Sequence, residues 1–162
     1  MNNKVKGVTT VEFALVGGLF FLVLFGILEF GRLLYVWNTL TEATRRGARI
    51  AAVCPVNHSA IARIAVLDGP TSGGSSPILP GLSTANVDLR YLDVDGIPIG
   101  NPVLNFTTIR YVRVRIIGYS HNMIIPMFTP LLNAPPFQTT LPRESLGVPR
   151  VGAGPQCFGT AA

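Results

Sequence analysis

The chain has 162 residues, of which 48% are hydrophobic and 13% are charged. That charged share is about half of the share in an average soluble domain, and the mean hydropathy of +0.43 agrees with it. This composition excludes a disordered chain and argues against a wholly soluble one. The length suits one compact domain with a short appendage.

The net charge of +5 does not indicate nucleic-acid binding. Its 13 basic residues are two lysines near the start and arginines spread along the chain, without a dense basic block. The two cysteines and two histidines do not have the spacing of a zinc site. We therefore expect no nucleic-acid partner, no metal and no cofactor.

The first element is an apolar segment from Val8 to Leu28, in which Glu12 is the one charged residue. As a helix it would span about 30 Å, the thickness of the hydrocarbon core of a bilayer. We predict a transmembrane segment over residues 8–28, and the alternative is a buried core helix. A secretory signal peptide would end in a small-residue cleavage site, whereas this segment leads into Glu29 and Arg32.

A glycine and a glutamate mark the start of this segment. A carboxylate inside an apolar helix is costly unless it is paired, so Glu12 is a functional candidate. Removal of residues 1–7 would place the new amino group of Val8 about one helical turn from Glu12. The two charges could then neutralise each other. The alternative is that Glu12 lies at the headgroup level, where the helix dipole favours it.

The same residues carry a family resemblance. Lys6-Gly7, four further residues, Glu12 and the following apolar helix resemble the class III signal of type IV prepilins. Phe13 stands where small pilin relatives often have Tyr. Three segments in order, residues 11–16, 26–32 and 43–49, are similar to the TadE-like family of minor pseudopilins of the tight-adherence (Tad) pilus.

The resemblance implies that a membrane-embedded prepilin peptidase cuts the Gly7–Val8 bond on the cytoplasmic face. Residues 1–7 would then be a leader, and the apolar helix would stay with the mature protein. The implied partners are this peptidase, other Tad pilus subunits and minor pseudopilins, and inner-membrane lipid, without a small-molecule substrate. Basic residues flank both ends of the segment and leave its orientation undecided. The signal implies a cytoplasmic N-terminus and a periplasmic head.

Helical periodicity continues beyond the apolar segment, and we predict one helix over residues 8–53. Its second half carries an amphipathic stripe at three- and four-residue steps, formed by Leu33, Trp37, Leu40, Thr44, Gly47 and Ala51. Small residues at 43–52 either pack the subunit's own strands or contact another subunit.

The membrane edge of this helix has its own predicted features. Glu29 and Arg32 are expected to form an ordinary interfacial ion pair. Tyr35 and Trp37 follow the apolar segment, as expected for an interfacial aromatic belt.

Residues 54–162 are predicted to form a head, giving an α+β fold with an antiparallel sheet on the distal half of the helix. A short helix is predicted over Ser59–Asp68, beginning at the serine, and a flexible loop over residues 69–83. Two strands alternate apolar and polar residues over 87–91 and 111–116. The proline-rich residues 126–162 predict an extended tail that wraps the head. Its segment 143–147 is similar to an element of some TadE-like proteins.

The two cysteines fit an oxidising compartment. We predict a disulfide between Cys54 and Cys157, which would tie the tail to the end of the long helix. The alternative is two unpaired thiols.

No enzyme signature is present. His58 and His121 lack a nearby nucleophile in a known catalytic motif and are expected to lie in loops, exposed or in structural roles. Residues 93–96 predict a hairpin turn rather than a calcium loop, because position 104 is a leucine where a ligand would be needed. Arg110, Arg113 and Arg115 predict the solvated face of a strand, with an anion or partner site as the alternative.

The sequence therefore predicts a minor pseudopilin without enzymatic activity, which is cleaved after Gly7 and supports pilus biogenesis and surface adhesion. One alternative is an uncleaved single-pass inner-membrane protein whose periplasmic head binds a partner. A membrane-tethered enzyme has no supporting residues, and major Tad pilins are much shorter chains.

Overall fold

The computed structural model describes residues 6–71, 73–123, 131–148, 156–157 and 160–161. Residues 1–5 of the predicted leader and parts of the predicted tail lie outside the described residues. The helices and strands in chain order are α1 (Lys6–Val53), α2 (Ser59–Ala65), β1 (Val87–Leu92), β2 (Tyr111–Ile116), β3 (Ser120–Asn122), β4 (Leu131–Asn133), β5 (Phe137–Pro142), β6 (Gln156–Cys157) and β7 (Thr160–Ala161).

The long helix α1 has 48 residues and is about 72 Å long at the usual rise per residue. It begins at Lys6, two residues before the predicted start at Val8. Its end at Val53 is as predicted. The helix stops there because Cys54 precedes Pro55, and a residue before proline is disfavoured in the helical conformation.

A three-stranded antiparallel sheet in the order β1-β2-β5 forms the centre of the head. The two predicted strands are β1 and β2, paired with Leu89 opposite Val114. The third strand, β5, comes from the predicted tail, where Thr139 lies opposite Val114. The prediction of an extended wrapping tail was therefore wrong for residues 137–142, whose alternating burial marks a regular strand.

The inner face of the sheet packs on the distal half of α1. The predicted stripe is correct for Leu40, Thr44, Gly47 and Ala51, which are buried, whereas Trp37 stays 39% exposed. A side chain at Gly47 would place a Cβ 2.7 Å from Cβ of Ala65 in α2. Helix and head therefore approach closely at this glycine.

The small residues of α1 are buried by the subunit's own head, which decides between the two alternatives left open by the sequence. They are Ala43, Gly47, Ala48, Ala51 and Ala52. They do not form an exposed surface for a neighbouring subunit.

Two local predictions in the head were wrong. Helix α2 ends at Ala65 rather than at Asp68, since Leu67 has a positive φ of 65°. Its start at Ser59 is as predicted, and His58 caps it, because Nδ1 of His58 accepts a hydrogen bond from the backbone N–H of Ala60. The predicted flexible loop at residues 69–83 carries two buried core residues, Leu79 and Leu82.

Candidate functional site

The first part of α1 makes no buried contact with the head. Every residue from Val8 to Leu28 is exposed or half-exposed, and the apolar side chains include Phe13 at 79% exposure. Within the described residues, one helix, Val8–Val53, is long and apolar enough to cross a membrane, judged by length and composition. Its most apolar stretch has a mean hydropathy of 2.5 and is not buried. The helix therefore fits a membrane anchor.

The predicted cleavage position lies in the first turn of α1. Gly7 and Val8 both have helical backbone, since the helix begins at Lys6. The first N–H groups of a helix have no partner within the helix, and glycine costs a helix about 1 kcal/mol relative to alanine. Both properties favour unwinding of this turn into an extended conformation. Val8 and Glu12 lie on the same face, one turn apart, and both are exposed.

Just past the apolar segment of α1, the predicted ion pair is part of a buried polar cluster. Arg32 Nη1 donates to both carboxylate oxygens of Glu29, at 3.2 and 3.0 Å. His121 Nε2 lies 3.1 Å from Oε1 of the same carboxylate. Glu29 is 6% exposed and His121 is 3% exposed. The predicted ion pair between Glu29 and Arg32 is therefore present, but it is not an ordinary interfacial pair, because β3 of the head covers the carboxylate.

His121 was also placed wrongly by the sequence, which predicted a loop position. It lies in β3, a strand of three residues that pairs with β4. So short a strand has no recognisable alternation in sequence. The one available signal was a glutamate on α1 just past the apolar segment, which needs a partner if the head covers it.

The two predicted interfacial aromatic residues have different surroundings. Tyr35 is 55% exposed and lines a cleft of about 190 Å³ together with Arg32 and Tyr119. Trp37 lies beside Phe137 of β5, with 6.4 Å between the ring centroids. Burial raises the pKa of Tyr119 and outweighs the opposing influence of the Arg32 charge. The exposed side chain of Tyr35 could therefore contact a membrane interface, whereas the side chain of Trp37 packs partly against the head.

The far end of α1 is held by the tail. The structure contains the predicted disulfide between Cys54 and Cys157, whose Cα atoms are 5.0 Å apart. Nearby, the backbone N–H groups of Leu146 and Gly147 donate to the carbonyls of Ala52 and Val53. These carbonyls belong to the last turn of α1, and the carbonyl groups of a last turn have no hydrogen-bond donors within the helix. The segment 143–147 therefore acts as a C-terminal cap for α1.

The described residues contain no group of three or more histidine, cysteine, aspartate or glutamate side chains that could hold a metal ion. The described residues thus combine a long helix whose first part fits a membrane anchor, a buried polar cluster around Glu29 and a disulfide at the far end of the helix.

Residues 7–49 match the family model described as TadE-like protein. This match confirms the resemblance found in the sequence and covers most of helix α1. No curated protein and no solved structure matches the chain.

Proposed function

We propose that the chain is a minor pseudopilin of a Tad pilus, made as a prepilin and cut between Gly7 and Val8 by a prepilin peptidase. The role is structural rather than catalytic. The helix anchors the subunit in the inner membrane, with the N-terminus in the cytoplasm and the head in the periplasm. The observation that carries this proposal is the continuous helix α1, whose first 21 residues after Gly7, Val8 to Leu28, are free of the head.

The exposed helix segment supports a role in assembly. An apolar surface that the subunit does not bury must be covered by lipid or by other helices. The same segment can therefore be held in the bilayer first and packed against neighbouring pilus subunits later. Glu12 would set the register of that packing, because the new amino group of Val8 lies on the same face about one turn away.

The disulfide supports a periplasmic head. Disulfides persist in oxidising compartments such as the bacterial periplasm and are rare in the cytosol. Cys54 directly follows α1, so the end of the helix that carries the head must lie on the oxidising side. The N-terminus is then on the cytoplasmic side, where a prepilin signal is read.

The test is the intact mass of the protein from membranes, with and without the cognate prepilin peptidase. We expect the loss of residues 1–7 only when the peptidase is present. Gly7→Ala should block the cut because the peptidase must approach the backbone closely at this position. Gly17→Ala is the matched control, since nothing lies within 4 Å of a Cβ added there. A full-length wild-type chain under both conditions would contradict the proposal and leave an uncleaved anchor with a partner-binding head.

A further inference from the structure

The outer face of the central sheet carries three arginines from two neighbouring strands. Arg90 of β1 lies directly opposite Arg113 of β2, and Asp88 lies opposite Arg115. These four residues, which we call the arginine face, share the side of the sheet that points away from α1, because side chains alternate along a strand. Leu89 and Val114, on the inner side, belong to or pack against the core. The face carries three positive charges and one negative charge.

A single carboxylate holds two of the guanidinium groups in place. Asp88 Oδ1 accepts from Arg90 Nε at 2.7 Å, and Asp88 Oδ2 accepts from Arg115 at 2.6 and 3.0 Å. The Asp88 side chain is 11% exposed, whereas that of Arg90 is 58% exposed. Burial opposes ionisation of Asp88, but the hydrogen bonds from Arg115 and Arg90 outweigh it and lower the pKa of Asp88. Both oxygens of the Asp88 carboxylate are therefore occupied by hydrogen bonds within the protein. The arginine face keeps a net positive charge.

The pair Arg90 and Arg113 is unfavourable for the isolated subunit. Like charges directly opposite each other on a sheet destabilise it. Arg113 Nε donates to Thr140 of β5 at 3.3 Å. Among the described residues, the terminal amino groups of Arg90 and Arg113 donate to no acceptor. Arg90 is exposed and Arg113 is half-buried, so their terminal amino groups are left to bind a carboxylate or phosphate, the groups with which a guanidinium can form paired hydrogen bonds.

The distance of the arginine face from the membrane argues against the phosphate groups of lipids as its ligand. Val114, next to Arg113, lies beside Gly47 of α1, since its Cγ1 would be 3.1 Å from a Cβ there. Gly47 is about 28 Å along the helix from Leu28, the last residue of the apolar segment. The headgroup layer extends roughly 5–8 Å beyond the hydrocarbon core, and charges are screened over about 8–10 Å. Arg90 and Arg113 are thus beyond the reach of lipid phosphates.

We propose that the arginine face is a docking surface for a carboxylate-rich surface of another protein on the same side of the membrane. Arg90 and Arg113 provide the open donors, and Asp88 and Arg115 fix the arrangement of the face. The partner would relieve the repulsion between the two opposed arginines. The inference does not depend on cleavage at Gly7.

The experiment uses the full chain in detergent micelles and a short fluorescein-labelled oligoglutamate peptide as the probe, with fluorescence anisotropy as the readout. We expect salt-sensitive binding that Arg90→Gln/Arg113→Gln weakens about tenfold or more. The matched control is Arg45→Gln/Arg49→Gln, which removes the same charge from two exposed positions on α1 and should change the affinity by less than about twofold. Thermal unfolding verifies that both variants are folded, as expected because Asp88 keeps Arg115.

Three results would overturn the proposal. An equal loss in both double variants would mean that the peptide senses net charge only. Displacement of the peptide by an equal concentration of inorganic phosphate, or equal binding to vesicles of anionic phospholipid, would assign a phosphate ligand instead. No binding at low salt would leave the face without a carboxylate partner. None of these results bears on the cut at Gly7, so the proposed function would stand or fall separately.

Discussion

Removal of the disulfide should cost the head a large part of its stability. Cys54 and Cys157 are 103 residues apart in sequence, and in the chain-entropy model closure of a loop of that length stabilises the folded state by about 4.7 kcal/mol. Natural domains have a free energy of unfolding of about 5–15 kcal/mol. The variant Cys54→Ala/Cys157→Ala should therefore lose between a third and nearly all of it.

The assay is urea unfolding in detergent micelles, followed by tryptophan fluorescence. Trp37 is the one tryptophan in the sequence and lies beside Phe137 of β5, so its emission reports whether the sheet is docked on α1. Reduced wild-type protein should match the double variant, and reductant should have no effect on the variant itself. A loss below about 1 kcal/mol would refute the entropic argument, because the disulfide would then not restrict the unfolded chain by the amount that its loop length predicts.

Three further predictions concern single residues and use the same unfolding assay. Gly147→Ala should destabilise the head by about 1–3 kcal/mol, because Gly147 has a φ of 81° and an added Cβ would come 2.5 Å from Cγ of Pro55; a neutral effect would contradict the capping role of this segment. Glu29→Ala should lower the free energy of unfolding by about 1–3 kcal/mol, because it leaves the buried His121 without its partner. A loss as small as that for an exposed glutamate would show that the contact between Glu29 and His121 does not stabilise the fold. Asp88 has a lowered pKa, so its contribution to stability is present above its unfolded-state pKa of about 3.9 and is lost as the pH falls through the lower folded-state value. Asp88→Asn should therefore flatten the fall in stability below about pH 4, and an unchanged acid profile would exclude that contribution.

The sequence predicted the features that follow from a local pattern. The apolar segment, the end of α1 before Pro55 and the buried stripe that contains Leu40 and Gly47 each have a local signal, which is a continuous apolar run, a proline and a helical period respectively, and the structure agrees with them. The strands β1 and β2 were also predicted, since apolar and polar residues alternate over residues 87–91 and 111–116.

The features that the sequence did not reveal depend on contacts between distant residues. His121 meets Glu29 across 92 positions, and three residues of β3 are too few to indicate a strand. Strand β5 ends in Pro142 and follows other prolines, which are usual at strand edges and in loops, so its alternation was obscured. The arginines of β2 were predicted as a solvated face, but their arrangement around Asp88 depends on the pairing register of β1 and β2.

Glu29 is buried against the head and directly follows Leu28, so no exposed helical turn separates the apolar segment from the head. Because α1 is continuous, any rotation of the apolar segment about the helix axis turns the head by the same angle. One residue inserted after Leu28 would advance the segment by about 1.5 Å and rotate it by about 100° relative to the head. The face that carries Glu12 would then point in a new direction while the head stays unchanged. The number of residues between Glu12 and Glu29 therefore sets the direction in which the Glu12 face points relative to the head.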